Sequence, residues 1–195
     1  MHLTYTTIMI YSKVALGDNG LYSTSALTDE KKRCFVQLNG IKILDASDKN
    51  EIIFDPVSET NMSKIEAIHV NNLQAALDNS KEWFGRELSD TTIQKAYLRD
   101  ETGLSADRIG ATKVFDARRE PLEFDSIQND MTCTLLVEFS GLWFAKKAFG
   151  ATWNIVQLKI HDEETPDEPE TSQENQAPEL EDYPEDYIIE DEEVQ

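Results

Sequence analysis

The clearest patterning of apolar and polar positions lies between residues 131 and 160, MTCTLLVEFSGLWFAKKAFGATWNIVQLKI. Thr132–Phe139 and Thr152–Ile160 are rich in β-branched and aromatic residues and predict two strands. The alternation in the second changes phase between Ile155 and Val156, which predicts a bulge of the kind that strongly coiled small barrels use. Upstream, Phe35-Val36-Gln37-Leu38 and Ile41-Lys42-Ile43-Leu44 flank Asn39-Gly40. That spacing predicts strand, tight turn, strand, or one bulged strand. Glu51–Val57 is a further short strand candidate, closed by Pro56.

Helical spacing appears in the middle of the chain. Ser63-Lys64-Ile65-Glu66 fits a capping box, and Ile65, Ile68, Leu73, Ala76 and Leu77 continue it, predicting a helix over 64–78. Asn79-Ser80 breaks it before Lys81–Phe84. Ser89-Asp90 starts a second, short helix with Ile93, Ala96, Tyr97 and Leu98 inward. Trp83-Phe84 can anchor a helix on the sheet. Residues 100–130 read as a long polar connection with a short strand near Lys113–Phe115. Residues 1–30 read as an N-terminal arm or edge strand.

The pattern predicts a mainly β fold with helical insertions: a small closed or partly open barrel, or alternatively an α+β sandwich. Residues 31–160 form the domain, and 161–195 form an acidic, disordered tail.

Charge changes the picture most. Of 195 residues, the last 35 hold sixteen Asp or Glu and no Lys or Arg. The formal net charge of -20 therefore sits mostly in the tail, leaving residues 1–160 near -4 with all eighteen basic residues. A basic-free acidic tail on a mixed-charge body serves as a bait, a brake or a docking strip. No apolar run approaches a membrane span, and the N-terminus reads as mature sequence without a signal peptide. Cys34 and Cys133 read as buried, reduced thiols of an intracellular protein.

Common catalytic signatures are missing: no phosphate loop, no dinucleotide turn, no Gly-x-Ser-x-Gly and no His or Cys set at metal spacing. The expectation is a non-enzyme with no cofactor and no metal.

Trp143, Phe144, Phe149 and Trp153 surround Lys146-Lys147. Exposed rings stack on bases at roughly 1–3 kcal/mol each, and adjacent lysines neutralise phosphates. Lys31-Lys32-Arg33 and Arg118-Arg119 could extend such a groove. Aromatics on strands are more often core, and Trp153 is the clearest core candidate of the four. The candidate nucleic-acid-binding set is Lys31, Lys32, Arg33, Arg118, Arg119, Trp143, Phe144, Lys146, Lys147 and Phe149.

The segment Leu136–Ile160, with Gly141-Leu142-Trp143, Lys146-Lys147, Phe149-Gly150 and a strand from Trp153 running into the tail, resembles the C-terminal strand pair of single-stranded-DNA-binding proteins of the phage type. Such proteins also occur in large DNA viruses of eukaryotes, and Asn79–Gly85 is similar to a segment of the viral members. The resemblance implies an oligonucleotide-binding (OB-like) barrel that coats unwound DNA during replication, recombination and repair. It also implies an acidic tail that competes with DNA for the groove and recruits replication proteins. Family tails often end in an aromatic residue, whereas this one ends Glu-Val-Gln. Tyr183, Asp186, Tyr187, Ile188, Ile189 and Glu190 are the candidate docking or autoinhibitory residues. A homodimer and an intracellular location, at the host-cell site of viral DNA replication, complete the expectation. The competing reading is an acidic-tailed chaperone or structural virion protein that binds basic proteins.

Overall fold

The computed structural model describes residues 9–17, 20–99, 103–162 and 182–190. The chain is mostly β with few helices. Ten strands run β1 (Met9–Tyr11), β2 (Ala15–Leu16), β3 (Tyr22–Thr28), β4 (Cys34–Asp45), β5 (Glu51–Asp55), β6 (Tyr97–Leu98), β7 (Leu104–Phe115), β8 (Pro121–Leu122), β9 (Thr132–Phe144) and β10 (Phe149–Ile160). Three helices, α1 (Glu59–Asp78), α2 (Ser80–Phe84) and α3 (Asp90–Ala96), lie in sequence between β5 and β6.

Five strands pair in a ring. β9 joins β4, β4 joins β5, and β5 joins β7, all antiparallel. β7 then joins β10 in parallel, and β10 returns to β9. Side chains alternate across each strand, so one set fills the ring: Leu38, Ile43, Ile52, Phe54, Leu135, Phe139, Ile155 and Leu158 are almost fully buried. The ring is sharply curved, and bulges take up the curvature. Asn39-Gly40 forms one, where the β4–β9 register shifts between Leu38 and Ile41. β4 is thus a single bulged strand rather than two strands and a turn. The phase change read at Ile155-Val156 is a second bulge, with the β10 register shifting between Ile155 and Gln157.

Sequence reasoning misplaced two features. Leu104–Phe115 is a twelve-residue strand inside the ring, not part of a long connection. Its solvent side carries Asp107, Arg108 and Gly110, so local composition hides pairing that both neighbouring strands supply. The long helix starts earlier than 64. Ser58 is its N-cap, accepting from Asn61 N at 3.1 Å, while Ser63 Oγ bonds back to Glu59 O within the helix. The early start follows from Asn61, which donates to the Asn39 and Pro56 carbonyls, both at 2.7 Å, and so fastens the first turn to the β4 bulge. Within residues 1–30, read as an arm or edge strand, β3 joins the sheet outside the ring. β3 pairs with β9 through Tyr22–Ser25, and Thr24 and Ala26 are buried. The two backbones meet so closely at Gly141 that a Cβ there would lie 1.9 Å from Thr24 O, and its φ of 144° is open only to glycine.

The helices are held by rings and a buried polar chain. Trp83 and Phe84 pack on Phe144, and Phe84 also on Phe149. Tyr11 Oη donates to Asn72 Oδ1 at 2.6 Å, and Asn72 Nδ2 donates to Tyr97 Oη at 2.9 Å. Tyr97 Oη is 2.7 Å from His69 Nδ1. Burial, followed by the Arg99 charge, lowers the His69 pKa to about 4, which keeps the ring neutral. Cys34 and Cys133 are buried, free thiols, with burial pushing each pKa up to about 12.

Candidate nucleic-acid interface

Three strands of the ring carry apolar residues on both faces. Cys34-Phe35-Val36, Leu135-Leu136-Val137 and Ile155-Val156 each have consecutive buried positions. Cys34 and Val36, Leu135 and Val137, and Ile155 enter the ring, while Phe35, Leu136 and Val156 form a second cluster on the outside. An outer apolar face needs a cover, and the chain supplies it. Ile189 is buried against these three residues, with Tyr183, Tyr187 and Ile188 packed beside it. Residues 182–190 of the acidic tail are therefore seated on the ring, a correction to the expectation of disorder throughout 161–195. Residues 163–181 and 191–195 lie outside the described residues.

Two buried glutamines grip the tail backbone. Gln37 Nε2 donates to Glu190 O at 2.8 Å, and its Oε1 accepts from Glu190 N at 3.0 Å. Gln157 Nε2 donates to Asp186 O at 2.6 Å, and its Oε1 accepts from Ile188 N at 2.9 Å. Each amide acts like a short piece of strand edge, and each would otherwise leave buried polar atoms unpaired. Lys113 Nζ donates to Glu185 O.

Rings and cations complete the seat. Tyr183 packs near Phe35, with centroids 6.4 Å apart, and Tyr187 meets Phe115 edge-on at 5.0 Å. The Arg33 guanidinium lies 4.0 Å from the Tyr183 ring centroid and that of Arg119 lies 5.2 Å from the Tyr187 centroid. Beneath Tyr183 sits Glu138, 2% exposed. Its Oε1 accepts from Arg33 Nη1 at 2.7 Å, and its Oε2 accepts from Asn154 Nδ2 at 3.0 Å and Tyr183 Oη at 2.6 Å. Burial works against the Arg33 charge, but the Glu138 hydrogen bond and attraction outweigh it and raise the arginine's pKa. Burial first, then the Glu138 carboxylate, pushes the Tyr183 pKa up to about 12.

The sequence-predicted residues divide. Arg33 and Arg119 converge on the tail. Arg118 is exposed in the β7–β8 turn. Lys31 is an exposed turn residue with φ 64°, and Lys32 pairs with Glu30 at 2.8 Å. Lys146 and Lys147 are exposed at the tip of the β9–β10 hairpin, beyond the end of β9 at Phe144, which is itself about 20 Å along the strand from Glu138 at ~3.3 Å per residue. Trp143 is half-buried across Gly150, whose missing side chain makes room for it; a Cβ there would lie 2.9 Å from the indole. Phe144 and Phe149 are corrected out of the set. They are 7% and 0% exposed and stack on each other at 5.9 Å, so neither offers a face to a base. Trp153, at 5% exposed, is core as expected.

A cleft of about 330 Å³ lies beside Trp143, its lining including Glu51, His69, Ser105, Asp107 and Trp153. Burial, with Glu51 and Asp48 nearby, raises the Asp107 pKa. Among the described residues no group of three or more His, Cys, Asp or Glu is placed to hold a metal. Among them, too, no helix is long and apolar enough to cross a membrane.

Sequence reasoning missed Phe35, Gln37, Lys113, Phe115, Glu138, Asn154 and Gln157. The consecutive apolar residues in three strands were the available signal, because a strand apolar on both faces is covered on both.

What these features define is a mostly β chain whose outer sheet face is a seat for its own acidic segment. The chain belongs to a family of unknown function (DUF5871), which it matches over residues 39–191, from the β4 bulge to just beyond the seated segment. No curated protein matches it. Among solved structures it is similar to a single-stranded DNA-binding protein from bacteriophage Enc34, in a C-terminal truncation, at 10% identity and a TM-score of 0.44. That alignment covers 81% of this chain and 97% of that one.

Proposed function

We propose that the chain binds and protects single-stranded DNA without catalysis, and that its acidic tail modulates this binding. In this reading the five-strand ring is an oligonucleotide-binding barrel. Its order, with one parallel closure and a hairpin of fourth and fifth strands, suits that architecture. The Lys146-Lys147 tip is then the loop between those last two strands, one that such barrels use for ligands.

One observation carries the reading. The groove holding residues 182–190 presents what single-stranded nucleic acid needs: rings at Phe35 and Phe115, cations at Arg33, Lys113 and Arg119, and amides at Gln37, Asn154 and Gln157. The tail answers with what nucleic acid has, planar rings at Tyr183 and Tyr187 on a run of anions. Tethering gives it a high local concentration, so it holds the groove until DNA displaces it. Coating of unwound DNA in viral replication, recombination and repair, with the displaced tail free to recruit replication proteins, is the role we assign. The resemblance of Leu136–Ile160 to proteins of that kind supports it.

Salt titration of oligo(dT) binding, by full-length chain and by a chain lacking 161–195, tests the proposal. Three to five phosphate contacts give a log–log slope of roughly -2 to -3.5. Removing the tail raises affinity on the order of tenfold. Absence of binding at low salt in both forms sinks the reading; equal affinities sink the competition.

A further inference from the structure

We propose that Arg33, Phe35, Glu138 and Asn154 form a guanine subsite for which Tyr183 is the placeholder. The inference rests on the single-stranded-DNA reading and adds base preference to it. Three observations converge on one spot. The Tyr183 ring occupies a slot roofed by the Arg33 guanidinium at 4.0 Å from its centroid, with Phe35 alongside. At the end of that slot, the tyrosine hydroxyl donates to Glu138 Oε2 at 2.6 Å. And Arg33 Nε is buried yet bonded to no atom of the described residues.

The carboxylate sets the choice of base. With Tyr183 in place, Oε1 accepts from Arg33 and Oε2 from Asn154 and Tyr183. When the tyrosine leaves, each oxygen keeps one protein partner and one open lone pair. Two open acceptors side by side call for two donors side by side. Guanine alone among the DNA bases offers them, as N1–H and the N2 amino group. Adenine and cytosine place a ring acceptor next to their single amino group, and thymine places one N–H between two carbonyls. Those atoms lie on the edge that is free only in single strands. The Arg33 roof suits a purine ring by cation–π stacking. A nucleotide also brings what tyrosine lacks, an anionic oxygen one sugar away, and Arg33 Nε is an unused donor beside it.

The experiment uses the full-length chain carrying Tyr183→Ala, which empties the slot. Its ligands are oligo(dT) of about twelve nucleotides and the same oligomer with one central deoxyguanosine, deoxyinosine, deoxyadenosine or deoxycytidine. The guanine oligomer is expected to bind roughly tenfold more tightly than oligo(dT), as a paired readout supplies. Inosine, lacking the N2 amino group, loses most of that gain. Adenine and cytosine gain nothing. Adding Glu138→Gln abolishes the guanine preference, read as the ratio of guanine-oligomer to oligo(dT) affinity within that variant, so a change in oligo(dT) affinity itself does not enter the comparison. Should Glu138→Gln fail to fold, the inosine comparison decides alone. Oligo(dT) binding with no guanine preference overturns the subsite and leaves the DNA-binding reading standing. Failure of every oligomer to bind at low salt overturns both.

Discussion

The outer face of β9 and β10 has two ends, and the same residue types have different company at each. At the hairpin end, Trp143 lies across Gly150 and Lys146 and Lys147 stand exposed beyond it. At the other end, Leu136, Glu138 and Val156 lie under the tail, with Arg33 on Glu138 and on a tyrosine ring. The hairpin end is contiguous in sequence and reads as a binding motif on sight. The covered end gathers residues from β4, β7, β9, β10 and positions 183–190, so no window of sequence contains it. Yet among the described residues only the covered end has a bound segment to show what it recognises. An aromatic-basic cluster in one turn indicates what a surface could hold; a seat filled by the chain itself shows rings, anions and backbone already held.

The comparison can be broken most sharply at the hairpin. Phe149→Ala is expected to destabilise the fold by about 3–5 kcal/mol, because the ring is fully buried between Phe84, Tyr97 and Phe144. Lys146→Ala, three residues away, stays within about 0.5 kcal/mol of the unaltered chain. Urea unfolding of both variants measures the contrast. A small loss for Phe149→Ala would return that ring to the surface and to the candidate binding set.

At the covered end, Ile189→Asp removes an anchor worth about 1.5–3 kcal/mol of burial and puts a charge on Phe35, Leu136 and Val156. The tail should leave its seat without unfolding the ring. Hydrogen exchange at 182–190 should rise sharply while β9 and β10 stay protected, and oligo(dT) affinity should approach that of the tailless chain. Retained protection of 182–190 would mean the seat does not depend on this anchor.

A smaller effect is expected from pH. Docking raises the Tyr183 pKa from 10.0 to about 12, so the docked tail prefers the protonated phenol. Its contribution is fully present below pH 10.0 and is lost as pH rises toward about 12. Ultraviolet titration of tyrosinate should lose a late ionisation in Tyr183→Phe, distinct from that of Tyr11, whose pKa burial raises further still. Identical profiles in the two chains would remove Tyr183 from the Glu138 contact.

Several features are legible in the order of residues. The two strands at 131–160, the Ile155-Val156 bulge and the Ser89 cap all come from local alternation and hydroxyl placement, which act within a few residues. Tyr183, Tyr187, Ile188 and Ile189 stand out because a purely solubilising tail has no use for them. The reach of β7 is not legible, since its exposed side reads as loop and its pairing comes from β5 and β10. Nor is the fate of Phe144 and Phe149, whose composition matches Trp143 but whose side chains fall on the inner face.

By itself the sequence determined that strands run through 131–160, that most of the net negative charge sits at one end, and that this end carries apolar anchors. These follow from periodicity and from charge count, which are local properties. Tertiary structure decided the rest: which strands close the ring, which rings face inward, and which buried amides and carboxylate receive the tail. A one-residue change of register turns a side chain from core to surface. Register here is set by bulges and partners far away in sequence, so only the assembled sheet could place Glu138 beneath Tyr183.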